Sequence, residues 1–270
     1  MYPVEQAVVF FDIDNTLWDS ERRIPDSAKQ ALKDLRANGH KAFINTGRAR
    51  SFVQDPLLLA LPLDGLVCGC GTHIEIGNPE QETKPVYEKL LPFELVKRVI
   101  RILNEQHMPV IFEGAEYHWM NPDDFMHDRY IERVWKELGE RARYPEDITE
   151  GDRINKFSAV VTPEADMNAV HAALDSDFEF LFHNERIFEA IPAGSGKAHG
   201  IRKLCELTGI PHDRTYAIGD SVNDLDMLSG VKHGICMGNG TEEAKAVSEY
   251  VTTDIHDNGI KNALLHYGLI

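Results

Sequence analysis

Val8-Val9-Phe10-Phe11-Asp12-Ile13-Asp14-Asn15-Thr16 decides the reading of this chain. An apolar run ends in an acid, a single spacer and a second acid. Such a run reads as a strand buried on both faces, and open α/β sheets hold their ligands at the C-terminal ends of these strands. Residues two apart on a strand share a face, so Asp12 and Asp14 point into one crevice. Two carboxylates ~4 Å apart repel by about 4 kcal/mol at an effective dielectric near 20. A cation, a proton or catalysis explains the placement. A solvated turn, which Asp and Asn favour, is the alternative on this segment alone.

Three further segments work outward from that strand. Tyr216-Ala-Ile-Gly-Asp220 is a second short strand ending in an acid, and Asp224 follows about one helical turn later. Four acids at two strand tips form a hard-oxygen site that suits Mg2+, which takes one or two carboxylates plus phosphate and water. Zn2+ wants His or Cys, and none clusters near these acids. Ala42-Phe-Ile-Asn-Thr-Gly-Arg48 ends a third strand in a hydroxyl beside a glycine amide, a pairing able to grip a phosphate oxygen. Lys197 opens a helix after Gly194-Ser-Gly196 and brings a compact positive charge to the helix N-terminus. Taken singly, Thr46 reads as a strand end and Lys197 as a surface lysine; the ordered set of four is what points to a site.

In this order the four motifs resemble those of the haloacid dehalogenase superfamily of phosphotransferases: Asp12-Ile-Asp14-Asn-Thr16, Thr46, Lys197, and Gly219-Asp220-Ser-Val-Asn223-Asp224. Ile191-Pro192 ahead of Lys197, and Met237-Gly-Asn-Gly-Thr-Glu-Glu-Ala-Lys245, are similar to its Cof-type phosphatases. Cys70-Gly71-Thr72 departs from the Asn-Gly-Ala usual in that branch. The resemblance implies Asp12 as nucleophile, forming an aspartyl-phosphate, and Asp14 as general acid and base. It implies Mg2+ on Asp12, Asp220 and the Asp14 main-chain carbonyl, with Asp224 orienting metal-bound water or Lys197. Thr46, Gly47, Lys197 and Asn223 would hold the phosphoryl oxygens. Arg48 is a candidate substrate contact, with a structural salt bridge as the alternative. A phosphomutase of the same superfamily is the nearest competing reading. A non-catalytic binding protein is a more distant one, and it would be expected to lose Asp12 or Asp14.

Element order predicts an α/β fold: a doubly wound parallel-sheet, Rossmann-like core with an inserted α/β cap. Ala28, Ala31, Leu32 and Leu35 recur at helical spacing before Gly39, giving strand, helix and strand as a right-handed unit. Between Asp14 and Thr46 lie 31 residues (46 − 14 − 1), room for one helix; between Thr46 and Lys197 lie 150 (197 − 46 − 1), far more than one crossover needs. The excess is the insert, which in the family is a C2 cap. The expected division is residues 1–83 and 189–270 as core and 84–188 as cap, with Phe178–Phe182 as the last cap strand. Tyr117, Trp119, Phe178 and Phe180 read as cap core. Glu113, His118 and Lys156 are the cap's candidate substrate contacts. His118, His127 and His183 stand apart in sequence and give little sign of a metal site.

Composition bounds the partners. A formal net charge of −16 argues against nucleic acid and anionic membrane surfaces. It leaves capture of a small phosphate ester to local positive groups. No apolar run approaches the ~18 residues of a membrane span. The cysteines, Cys68, Cys70, Cys205 and Cys236, have neither zinc nor disulfide spacing, so a reducing, cytoplasmic setting is expected. No pattern in the chain names the rest of the substrate or the number of subunits.

Overall fold

The computed structural model of the chain describes residues 6–125 and 129–270, so His127 lies outside the described residues. Two compact units emerge, the first holding the chain up to Arg48, Gln54–Tyr87 and Gly196–Ile270. Its elements before the insert are β1 (Val8–Phe11), α1 (Asp26–Ala37), β2 (Lys41–Asn45), α2 (Pro56–Leu59), β3 (Gly65–Cys68), β4 (His73–Asn78) and β5 (Glu82–Glu88). The second unit contributes α3 (Phe93–Glu105), β6 (Val110–Gly114), β7 (His118–Trp119), α4 (Arg129–Leu138), β8 (Ala142–Arg143), β9 (Ile154–Val160), α5 (Met167–Leu174), β10 (Phe178–Phe182) and β11 (Ile187–Pro192). The chain closes in the first unit with α6 (Lys197–Thr208), β12 (Thr215–Gly219), α7 (Leu225–Gly230), β13 (His233–Cys236), α8 (Glu242–Val247), β14 (Tyr250–Val251) and α9 (Gly259–His266).

The first unit is built on an eight-stranded sheet in the order β14-β13-β12-β1-β2-β3-β4-β5. From β14 to β3 every pairing is parallel, and β4 turns back antiparallel on β3. Val8 and Phe10 join Ile201, Leu204, Met227 and Leu228, from α6 and α7, in one apolar cluster. Val9 and Phe11, equally buried, project to the opposite face, which is why β1 is apolar at every position. The strand order makes β12, β1 and β2 neighbours, so Asp220, Asp12 and Thr46, which follow them, gather at one sheet end.

The turn between β3 and β4 holds Gly69, Cys70 and Gly71 at φ 59°, 54° and 78°. That left-handed run suits glycine, and Asn tolerates it better than most side chains, so Cys70 sits where a β-carbon is strained.

The second unit carries a six-stranded sheet in the order β10-β11-β9-β6-β7-β8, antiparallel except for β7 with β8. One face is apolar: Phe112, Phe157, Phe178 and Phe188 pack against Val96, Val99 and Leu103 of α3 and Val170 and Leu174 of α5. Trp119 lies in that core and Tyr117 and Phe180 pack against it, as their reading as cap core requires. The opposite face packs Ile111 and Val160 with Phe52, Val134 and Leu138.

The unit boundaries differ from the expected 84–188. Pro85 argues against a strand, yet β5 forms at the sheet edge, where a missing N–H is tolerated, and the first unit extends to Tyr87. β11, unanticipated, pairs with both β10 and β9 and carries the second unit on to Ser195. Ala49–Val53 also belongs to the second unit. There Ser51 Oγ donates to the Gly114 carbonyl at 2.6 Å and lies 2.9 Å from His118 Nδ1.

Candidate active site

Asp12 follows β1 and its main-chain N–H donates to the Ile218 carbonyl on β12, which ties the two acid-bearing strand ends together. One carboxylate oxygen each from Asp12, Asp220 and Asp224 lies within 4.8 Å of the other two. Lys197, the first residue of α6, places Nζ 2.6 Å from Asp12 Oδ1 and 2.5 Å from Asp224 Oδ1. Asp224 Oδ2 accepts from the main-chain N–H groups of Asp220 (2.9 Å) and Ser221 (3.1 Å). Asp224 therefore fixes the turn that presents Asp220 and anchors Lys197. Thr16 Oγ1 donates to Asp220 Oδ1 at 3.2 Å.

This group holds more negative charge than Lys197 alone balances. Burial, opposed by Lys197 and reinforced by Asp224, pushes the Asp12 carboxyl up to about 7. Burial and the Asp224 charge do the same to Asp220. Burial works against the Lys197 ammonium too, but Asp12 and Asp224 outweigh it and hold the lysine firmly protonated. Three crowded hard-oxygen donors, in two of which burial raises the cost of the ionised form, are a fitting cradle for a metal ion.

Asp14 stands apart from that group. Its carboxylate accepts two hydrogen bonds from Arg48 and one from Trp18 Nε1. Partial burial raises its pKa, but the Arg48 and Trp18 bonds prevail and hold it below the usual carboxylate range. The Asp14 side chain is therefore not one of the clustered acids, and the expectation that it shares a crevice with Asp12 is corrected: Arg48 and Trp18 hold it away from Asp220 and Asp224. Arg48 is brought to Asp14 as an ion pair, the alternative weighed for it from the sequence.

Thr46 is buried at the end of β2, and its hydroxyl accepts from the Arg48 N–H at 3.2 Å. Gly47 is half-buried beside it, and Asn223 is exposed on the turn between Asp220 and Asp224.

A sequence model of haloacid dehalogenase-like hydrolases matches residues 9–264. The chain belongs to this hydrolase family. It is 28% identical to the provisionally named phosphatase YkrA of Bacillus subtilis, over 99% of this chain and 100% of that one. It is 24% identical to the 5-amino-6-(5-phospho-D-ribitylamino)uracil phosphatase YitU of the same organism, over 96% and 97%. The solved structure of the HAD subclass IIB sugar phosphatase BT4131 superposes with a TM-score of 0.80 at 25% identity, covering 98% of this chain and 100% of the other. The hydrolase thus belongs with the phosphatases of its family. No helix among the described residues is long and apolar enough to cross a membrane.

Within the second unit the structure brings Glu113, His118 and Lys156 together. They pair across β6, β7 and β9, Glu113 opposite both Lys156 and His118. Lys156 is 1% exposed, with Nζ 3.1 Å from Glu113 and 2.9 Å from Glu189. Ser158 Oγ donates to Glu113 at 2.6 Å, and His183 Nε2 lies 2.8 Å from Glu189.

Burial works against the ionised Glu189, yet Lys156 and His183 bring it down to about 2. Glu113 is likewise lowered against its burial, by Lys156 and then His118. His118 is pushed down chiefly by burial, which favours its neutral form, with the neighbouring Glu113 opposing that shift.

Glu189 escaped the sequence reading because β11 did. The available signal was Ile187-Phe-Glu-Ala-Ile, one acid inside an apolar strand pattern. Trp18 and Asn45 were missed as well, and nothing in their spacing marks them.

Proposed function

We propose that the hydrolase is a Mg2+-dependent phosphatase of small phosphate monoesters, working through an aspartyl-phosphate on Asp12. The carrying observation is the division between the two acids of Asp12-Ile-Asp14. One lies in the acid cluster against Lys197, the other in the grip of Arg48 and Trp18. Two carboxylates in unlike environments take unlike roles. Mg2+ suits Asp12 and Asp220 because the donors are all oxygens and burial leaves their charge uncompensated. When bound, it would neutralise that charge and polarise a phosphoryl oxygen.

Asp12 attacks phosphorus through a carboxylate oxygen, the ester P–O bond breaks, and Asp14 gives a proton to the departing oxygen. To carry that proton Asp14 leaves the Arg48 clasp. Water then attacks phosphorus, the bond between the Asp12 oxygen and phosphorus breaks to regenerate the carboxylate, Asp14 accepts the water's proton, and inorganic phosphate departs. Lys197, Thr46, Gly47 and Asn223 hold the phosphoryl oxygens over which transition-state charge spreads.

The names of the sugar phosphatase and the ribitylaminouracil phosphatase favour a phosphate carried on a sugar or polyol. Selectivity for the rest of that molecule is assigned to the second unit, with Glu113, His118 and Lys156 as the residues to test. The spacing of the four cysteines, which fits neither a zinc site nor a disulfide framework, suits a reducing, cytoplasmic setting.

The test is a panel of sugar, polyol, nucleotide and cofactor phosphates read by free phosphate released. Phosphate release with Mg2+ and none after chelation is expected. Isomerised sugar phosphate without free phosphate would establish a mutase instead. Alanine at Glu113, His118 or Lys156 should shift kcat/KM ratios among the esters more than it changes p-nitrophenyl phosphate hydrolysis. A uniform loss would remove them as selectivity residues.

A further inference from the structure

Strand β2, Lys41-Ala-Phe-Ile-Asn45, is apolar through its buried centre and then ends in an amide that is fully buried. A polar side chain at such a position carries a desolvation cost, so the hydrogen bonds it makes deserve an account. Asn45 Nδ2 donates to the main-chain carbonyl of Lys197 at 3.1 Å. Its Oδ1 has no hydrogen-bond partner among the described residues. A small apolar residue would fill the strand position without an orphaned acceptor. What it could not do is grip Lys197.

The first turn of α6 is held from other sides too. The Gly196 N–H donates to the Cys70 carbonyl at 2.8 Å, and the Ala198 N–H to Asp226 Oδ2 at 3.0 Å. The packing there admits no β-carbon: one on Gly71 would fall 2.4 Å from the Gly196 carbonyl oxygen, and one on Gly200 2.5 Å from Val67 Cγ1. These contacts seat the turn as a body. Asn45 differs in acting on Lys197 itself, from the residue that immediately precedes Thr46. It thereby joins the strand end that carries the hydroxyl to the helix start that carries the ammonium.

We infer that Asn45 is a positioning residue, fixing the Lys197 backbone against the end of β2 so that ammonium and Thr46 hydroxyl meet one phosphoryl group at a set spacing. This rests on the proposed assignment of Lys197 and Thr46 to the phosphoryl oxygens. Asn45 itself touches no reacting atom. A group held by a long, flexible side chain depends on where its backbone is anchored, and a displacement of about 1 Å costs on the order of 10²-fold in rate.

The experiment compares Asn45→Ala and Asn45→Leu with the wild-type enzyme. It measures kcat/KM on p-nitrophenyl phosphate and the inhibition constant of orthovanadate, a mimic of the five-coordinate phosphoryl group. Both variants should lose about 10- to 100-fold in kcat/KM and weaken vanadate inhibition by a similar factor. Loss of folded protein alone would leave the inhibition constant of the surviving enzyme unchanged. An unchanged constant in whichever variant is folded overturns the inference.

The second arm places Asn45→Ala in a Lys197→Ala background and reads vanadate binding by calorimetry. If Asn45 acts through Lys197, it should then cost less than threefold; a full loss in that background overturns the inference as well. A wild-type enzyme that neither hydrolyses phosphate esters nor binds vanadate overturns the proposed function with it, whereas an active wild type with indifferent variants overturns this inference alone.

Discussion

Arg48 clasps Asp14 through two parallel hydrogen bonds, Nε to Oδ2 and Nη2 to Oδ1, each 2.8 Å long. The guanidinium also lies 5.6 Å from the centroid of the Trp18 ring, whose Nε1 gives Asp14 its third bond at 3.0 Å. Bidentate guanidinium–carboxylate pairs are strong and orienting. Three donors on one carboxylate favour its ionised form, so Asp14 takes up the proton it gives to a leaving group only once it is out of this clasp.

Asp14→Asn should therefore discriminate by leaving group. An alkyl alkoxide needs the proton and p-nitrophenolate does not, so alkyl phosphates should lose about 10²- to 10⁴-fold in kcat, and more than p-nitrophenyl phosphate does. Matched losses on the two esters, measured side by side, exclude Asp14 as proton donor.

Asp12→Asn should abolish turnover, by about 10⁴-fold or more, while keeping the fold. The sign of its effect on stability follows from the raised carboxyl. Burial, against Lys197 and with Asp224, lifts Asp12 from 3.8 to about 7, so its ionisation costs stability as pH rises between those values and the whole cost is present above about 7. In metal-free buffer at about pH 8, the variant should melt at or above the wild-type temperature. A lower melting point would show Asp12 to be a net stabiliser of the metal-free protein.

Metal should reveal itself in stability as well as activity. A cation that binds only the folded chain raises the melting temperature by mass action. Mg2+ should do so and restore activity after chelation. Ca2+ should bind yet support little turnover, because its looser coordination lets both nucleophile oxygens ligate. Protons compete for Asp12 and Asp220, both near 7, so the Mg2+-induced rise should be larger at about pH 8 than at about pH 6. Equal rises at both values would separate metal binding from these two acids.

Glu189 offers a test within the second unit. Its folded pKa is depressed from 4.5 to about 2, because Lys156 and His183 overcome its burial. The stabilisation is then complete above about pH 4.5 and is lost as pH falls toward 2. Glu189→Gln should destabilise the protein by about 2–3 kcal/mol near neutrality, toward the low end for a broken buried pair because Glu113 still faces Lys156. The gap between variant and wild type in urea unfolding should narrow from about pH 6 to about pH 3. A gap independent of pH would remove Glu189 as an ionised partner.

Much of the core was legible because its signals are local. β1 is apolar at every position since both its faces are covered, and α6 runs from Lys197 to Thr208 as its apolar spacing indicates. The site residues at the ends of β1, β2 and β12 were legible for the same reason: a strand end stands out where an apolar run stops. β5 and β11 were not. Pro85 and a mostly exposed edge conceal β5, and β11 takes its meaning from pairing with β10 and β9, which lie before it in the chain. With β11 went Glu189, and with Glu189 the reason why Lys156 is buried.

From the residues alone came the α/β class, the position of the insert between Thr46 and Lys197, and the ordered acids, hydroxyl and lysine. Each follows from alternation, helical spacing or a strand end, which a chain carries along its own length. The tertiary structure decided which of those groups meet. It set Asp12 with Asp220 and Asp224, drew Asp14 off to Arg48 and Trp18, anchored Lys197 on Asn45, and closed Glu113 and Glu189 around Lys156. Asn45 and Lys197 stand 152 residues apart, and Thr16 and Asp220 stand 204 apart. Contacts at such separations depend on strand order and register, and no periodicity within a segment encodes them.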